Sequence, residues 1–187
     1  MRMRGMTERE QGQDTLEQEF RELEGKCVEA IRTEWPEGAG CEMGVSEDDS
    51  YILILGDDGV WYSYRNTYPE LDSDFDALDG LSKSERDSKT KEMQIKTDEL
   101  DEFDNKFFCL NLGKKPSLDT LLTAQAALDD GLRIRIREQG KKDEDKALKM
   151  MNEYVETNRE NLVGELMESM RDLLESIEAE HKTEQAV

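Results

Sequence analysis

The chain has 187 residues, enough for one domain with a modest core, and carries 46 acidic against 25 basic side chains, a formal net charge of −21. That charge disfavours nucleic acid and anionic membrane as ligands and favours basic partners. One histidine, His181, near the C-terminus removes Ser-His-Asp and Cys-His nucleophilic machinery and histidine-based metal sites; Cys27, Cys41 and Cys109 are too dispersed for a disulfide framework or a zinc knuckle.

Residues 1–13 read as a flexible N-terminal lead. Asp14-Thr-Leu-Glu17 resembles a capping box, and behind it Leu16, Phe20, Leu23, Cys27, Ile31 and Trp35 recur every three or four residues, predicting an amphipathic helix ended by Pro36 and Gly38. Cys41 to Val45 is a strand candidate, followed by a Ser-Glu-Asp-Asp turn.

Tyr51 to Tyr64 is the densest apolar run, and its two β-rich halves around Asp57-Asp58-Gly59 predict a hairpin. A two-residue turn at Asp58-Gly59 or at Asp57-Asp58 puts Tyr51, Leu53, Leu55, Val60, Tyr62 and Tyr64 on one face, and Ile52, Ile54, Trp61 and Ser63 on the other. With apolar residues on both faces, a helix layer is expected on one and a chain segment or partner on the other.

Residues 33–82 hold 13 acidic side chains and one basic, Arg65. After the hairpin come Glu70, Asp72, Asp74, Asp76 and Asp79, with Phe75 and Leu78 among them, so this loop is expected to dock or form a short helical turn. The Asp72-Asp74-Asp76 spacing is not a calcium loop: the glycine needed at the sixth position is Ala77 and the glutamate at the twelfth is Lys83.

A second helix runs from about Ser84 to Asn105, with Met93, Leu100 and Phe103 as core contacts and an acidic cluster at Asp98, Glu99, Asp101, Glu102 and Asp104. Phe107 to Leu112 reads as a strand, and Ser117 caps a third helix holding Leu118, Leu121, Leu122, Ala126 and Leu128, with Gly131 as its C′ residue. Leu132 to Arg137 alternates, predicting an edge strand with Arg133, Arg135 and Arg137 on a basic face, protected by charge or paired with the protein's own acids. Asp143 caps a final helix to about Ala179, whose stripe of Leu148, Met151, Val155, Leu162, Leu166, Met170, Leu173 and Ile177 has coiled-coil-like spacing. That helix either overhangs the domain and invites a homodimer, or breaks near Asn158 or Gly164 and folds back.

The expected fold is α+β: an antiparallel hairpin or meander sheet covered by amphipathic helices, with a long C-terminal helix. The expected organisation is a lead over 1–13, an α+β domain with an acidic surface over 14–140, the helix over 141–180 and a tail over 181–187. The α-β-β-β-α-β order is similar to the core of PD-(D/E)xK nucleases, but Val60 to Tyr64 lacks the acidic-x-Lys motif, and Glu144-Asp-Lys146, which matches its letters, lies at the start of a helix. No nucleotide-phosphate cradle is present, so no cofactor, metal or catalytic residue is assigned.

The expected function is a non-enzymatic acidic inhibitor that docks on a basic nucleic-acid-binding surface, acting as a nucleic-acid mimic in the cytoplasm, that of the host if the source is viral. In general character it resembles phage anti-restriction and anti-CRISPR proteins and toxin-immunity proteins. The residues expected to meet the partner are Asp48, Asp49, Asp57, Asp58, Glu70, Asp72, Asp74, Asp76 and Asp79. The partner is then a basic nucleic-acid-processing enzyme or complex, without direct nucleic-acid or membrane contact. The alternative is a dimeric chaperone or scaffold. The chain resembles small acidic α+β secretion chaperones in size, charge and the helix followed by three strands, and Met150, Met151, Met167 and Met170 suit adaptable packing.

Overall fold

The three- and four-residue spacing of Leu16, Phe20, Leu23, Cys27 and Ile31 places them on one face of α1 (Glu8–Glu34), in a computed structural model that describes residues 8–35, 38–108 and 110–184. The helix is already running at Asp14, so the expected capping box there does not start it. Pro36 and Cys109 lie outside the described residues. Phe20, Cys27 and Ile31 are fully buried.

Three strands follow, β1 (Gly40–Val45), β2 (Tyr51–Gly56) and β3 (Val60–Arg65), and with β4 (Leu110–Lys114) they form an antiparallel sheet in the order β1-β2-β3-β4. The fold class is therefore α+β, with a long C-terminal helix. Between β3 and β4 lie a 3-10 turn (Pro69–Leu71), α2 (Asp72–Asp76) and α3 (Lys83–Phe107). Ser82 and Glu85 close a reciprocal capping box at the start of α3. The strand expected from Phe107 begins later: Phe107 ends α3 and Phe108 caps it, both buried beside Phe103.

The hairpin forms where expected, but its faces differ. Leu55 pairs with Trp61, Leu53 with Ser63 and Ile54 with Tyr62. The connection is a three-residue loop, Asp57-Asp58-Gly59, in which the Gly59 N–H donates to the Gly56 carbonyl at 2.9 Å and Gly59 takes φ +78°. A loop one residue longer than the two-residue turn shifts the register by one and turns every β3 side chain to the opposite face. Tyr51, Leu53, Leu55, Trp61, Ser63 and Arg65 thus share the inner face, and Ile52, Ile54, Tyr62 and Tyr64 the outer. The inner set is favoured because Trp61 is completely buried, a gain on the order of 2–3 kcal/mol, and its polar members find partners. Trp61 Nε1 donates to Glu24 at 2.6 Å, Ser63 Oγ to the Phe108 carbonyl at 2.7 Å and Arg65 Nε to Asp104 at 2.6 Å.

Beyond β4, α4 (Leu118–Ala126) is capped by Ser117, whose Oγ accepts from the Thr120 N–H at 3.2 Å. The expected edge strand at Leu132–Arg137 is instead part of α5 (Asp130–Gly140). Asp129 caps α5, accepting from the Leu132 N–H at 2.6 Å, so Gly131 sits in its first turn and does not close α4. Leu132, Arg133 and Ile136 fall together on a helical face, while Ile134, which strand alternation would set beside Ile136, is 57% exposed.

The last helix, α6 (Glu144–Glu184), is continuous over 41 residues, about 60 Å at 1.5 Å per residue. Asn158 stays helical with its side chain donating to the Tyr154 carbonyl at 2.9 Å, and Gly164 faces open space. From Met151 to Ile177 the stripe is buried within the same chain, against α1, α4, α5 and β1, and only Leu148 points out. None of the described helices is long and apolar enough to cross a membrane.

Candidate protein-interaction surface

The nine acids expected to meet a partner fall into three places. Asp48 and Asp49 occupy the β1–β2 turn. Asp57 and Asp58 occupy the β2–β3 turn at the opposite end of the sheet, about 20 Å away along a six-residue strand. Asp72, Asp74, Asp76 and Asp79 lie in and after α2. The Glu70 side chain lies outside the described residues.

Their availability differs. Asp48 is held inside the turn, where Oδ1 accepts from Ser46 Oγ at 2.7 Å, the Ser50 N–H at 3.0 Å, Ser50 Oγ, and Arg133 Nη2 at 2.9 Å. Burial works to raise its pKa, but the hydrogen bonds from Ser50 and Ser46 and the Arg133 charge outweigh it and bring it down to about 2. Asp74 is gripped by Lys89 at 2.7 Å and Lys96 at 2.6 Å, which fastens α2 to α3. Asp57 accepts from the Gly38 N–H at 3.1 Å and Asp58 from the Val60 N–H at 3.0 Å. Asp49, Asp72, Asp76 and Asp79 are exposed and hold no ion pair among the described residues.

The two ends of the sheet also differ in sign. Near Asp58, a cleft of about 440 Å³ between α1, the hairpin turn and the end of β4 is lined by Arg21, Arg32, Lys114 and Lys115 as well as Glu24, Glu29 and Asp58. Near Asp49, the Asn66 and Thr67 side chains donate to the Asp49 carbonyl at 3.2 and 3.3 Å, tying the acidic segment after β3 to the β1–β2 turn. Tyr68 OH donates to Asp101 of α3 at 2.8 Å, and burial first, then Asp101, pushes its pKa up to about 12. Leu71 is buried and Phe75 is 53% exposed, so the segment docks through Leu71 and the Asp74 ion pairs while Asp72, Asp76 and Asp79 face outward.

Arg133, Arg137 and Arg65 form no outward basic face. Arg133 is 2% exposed and donates to Asp48, to Asp130 at 2.6 Å, to Ser50 Oγ at 3.0 Å and to the Ala127 carbonyl at 2.7 Å. Its guanidinium stands 4.3 Å from the Tyr51 ring centroid. Arg65 and Arg137 converge on fully buried Asp104, at 2.6 and 3.3 Å, and on Tyr51 OH, which donates to Asp104. Burial, then Asp104, raises the Tyr51 phenol far above its ordinary pKa. Arg135 turns outward and donates to the Gly131 carbonyl at 3.1 Å. Arg133 and Arg137 are thus paired with the protein's own acids on a helix, where a strand was expected. Asp104 was read as part of an acidic cluster. The signal that identifies it is its place on the Met93, Leu100 and Phe107 stripe.

Cys27 is buried with Sγ 3.4 Å from the Met170 carbonyl, and burial pushes its thiol up to about 12, so it is a core residue. Among the described residues, no three His, Cys, Asp or Glu side chains cluster so as to hold a metal ion. A scan of protein-family models, a search of curated proteins and a search of solved structures each found no match to the chain.

Proposed function

We propose that this protein is a non-enzymatic acidic binding protein that docks on a basic, nucleic-acid-binding surface of a partner and inhibits it, in the manner of anti-restriction, anti-CRISPR or toxin-immunity proteins. The observation that carries the reading is the sorting of charge. The one cation of residues 33–82, Arg65, is turned inside against Asp104 with 3% of its side chain exposed, whereas Asp49, Asp72, Asp76 and Asp79 point outward without ion pairs among the described residues. An outward acidic excess attracts a basic cleft and speeds encounter in a salt-sensitive way. The predicted contact set narrows accordingly to Asp49, Asp72, Asp76 and Asp79, since Asp48, Asp57, Asp58 and Asp74 are engaged internally.

The chaperone or scaffold alternative leaned on the α6 stripe. That stripe is buried inside the chain, so a client or second copy would have to use another surface. The test is affinity capture at low and high salt with the wild type and with Asp49→Lys/Asp72→Lys/Asp76→Lys/Asp79→Lys. The expected result is a basic nucleic-acid enzyme held at low salt, released by salt and lost with the reversed charges. Equal capture by the reversed variant overturns the reading.

A further inference from the structure

The outer face of the sheet is left open by the helices, and its chemistry selects what can cover it. By register, Tyr64, Ile52 and Val45 form one cross-strand row, and Tyr62, Ile54 and Glu42 the next. Tyr64 is 40% exposed, and Tyr62 and Val45 are each 37% exposed, whereas Tyr51, Leu53, Leu55 and Trp61 on the inner face are completely buried. Between them Ile52 is buried and Ile54 half-buried. From Gly40 to Arg65 the chain carries Glu42, Glu47, Asp48, Asp49, Asp57 and Asp58, and the only cation, Arg65, points to the other side. Lys114, opposite Val60 at the β4 corner, is the cation that the register puts on this face.

We propose that this open face is a docking platform for a segment of a basic protein that presents aliphatic side chains between lysines or arginines. The aliphatic groups cover Tyr62, Tyr64 and Val45, and the cations meet Glu42 and the acids of the β1–β2 turn. A second copy of the chain is a poor occupant, because stacking two such faces sets Glu42 against Glu42 and adds a net charge of −21 to another. An anionic membrane is repelled for the same reason. Three strand spacings by five residues give a face on the order of 200 Å², below the roughly 800 Å² per partner of a stable interface. The tyrosine rows therefore serve as the apolar centre and the surrounding acids as the polar rim. The sign of the partner's charge rests on the proposed function above; the apolar contact does not.

The test uses fluorescently labelled octapeptides alternating Arg with Ile, Arg with Ser and Glu with Ile, read by anisotropy. The Arg/Ile peptide is expected to bind at least about tenfold more tightly than Arg/Ser, a preference that survives high salt and disappears in Tyr62→Ser/Tyr64→Ser. Backbone chemical-shift changes in the wild type are expected at Val45, Ile54, Tyr62 and Tyr64, a readout that does not depend on the variant folding. Equal, salt-sensitive binding of both Arg peptides overturns the platform and leaves the acidic reading standing. Equal binding of Glu/Ile and Arg/Ile overturns the charge selection and that reading together. Shift changes on another surface overturn the platform, as does a concentration-dependent dimer abolished by the serine variant.

Discussion

The two faces of the sheet invert the usual arrangement. The inner face holds Asp104, Arg65, Arg133 and Arg137 around Tyr51, out of water, and the outer face leaves Tyr62 and Tyr64 exposed to it. On the inside, each charge is matched by an opposite one and by further hydrogen bonds, the condition under which buried ions are tolerated. The acidic excess is consequently left at the surface, and the aromatic rows lie inside that negative field. A chain with 38% charged residues can therefore still have a defined core.

The comparison breaks most completely if the cover of the inner face is removed. Truncation after Asn158 deletes Leu162, Val163, Leu166, Met167, Met170, Leu173 and Ile177, all buried. Large-to-small changes at single core sites cost about 2–5 kcal/mol, so losing seven such side chains exceeds the 5–15 kcal/mol that holds a typical domain together. The truncated chain is expected to show no cooperative unfolding transition by circular dichroism. Intact folding with loss of a dimer would instead make the distal half of α6 an oligomerisation arm.

Next in size is Asp104→Ala, which strands Arg65 and Arg137 without their shared carboxylate. Breaking a buried pair from one side costs about 3–5 kcal/mol, because the remaining charge stays desolvated. Denaturant unfolding should report that loss. Tyr51→Phe, which removes only the bridging hydroxyl, should cost about 1–3 kcal/mol. Equal stability of Asp104→Ala and the wild type would show the inner face to be wetter than its geometry implies.

These contacts also mark where sequence reasoning stops. The stripes of α1 and α6 were legible because each repeats over five or more turns, which no other element can imitate. The hairpin was legible as a pair of strands but not in its faces, because loop length alone decides parity, and Gly59 serves a three-residue loop as well as a two-residue turn. The segment Leu132–Arg137 was too short to separate alternation from a helical face. Asp48 and Asp104 carry the same letter as the exposed aspartates. Their roles come from Arg133, 85 residues away from Asp48, and from Arg65, 39 residues from Asp104, partners that only the fold brings near.

A smaller effect is set by pH. The Asp48 carboxyl is held at about 2 against an ordinary 3.8, so its folded pKa lies below its unfolded one. Its contribution is present at pH values above the unfolded pKa and is lost as the pH falls from there through about 2. Because 37% of its side chain is exposed, water screens the interaction and the loss is smaller than for Asp104→Ala. Melting temperatures of Asp48→Asn and the wild type should converge as the pH falls through this window. A gap that stays constant with pH would assign the effect to packing of the turn instead of its charge.

The smallest expected effect is on the open face. Tyr62 opposes Ile54 and Tyr64 opposes Ile52, and cross-strand pairs of this kind contribute about 0.2–1 kcal/mol each. With more than a third of each residue already exposed to water, Tyr62→Ser and Tyr64→Ser should each cost less than about 1 kcal/mol in denaturant unfolding, several-fold less than Asp104→Ala. The near-silence of these substitutions in stability is what gives them meaning in binding. Tyrosines that the fold does not need, on a face that the fold does not cover, are free to be selected by a partner. If either substitution instead costs as much as a core truncation, the ring is a structural member of the sheet, and the contrast between the two faces closes.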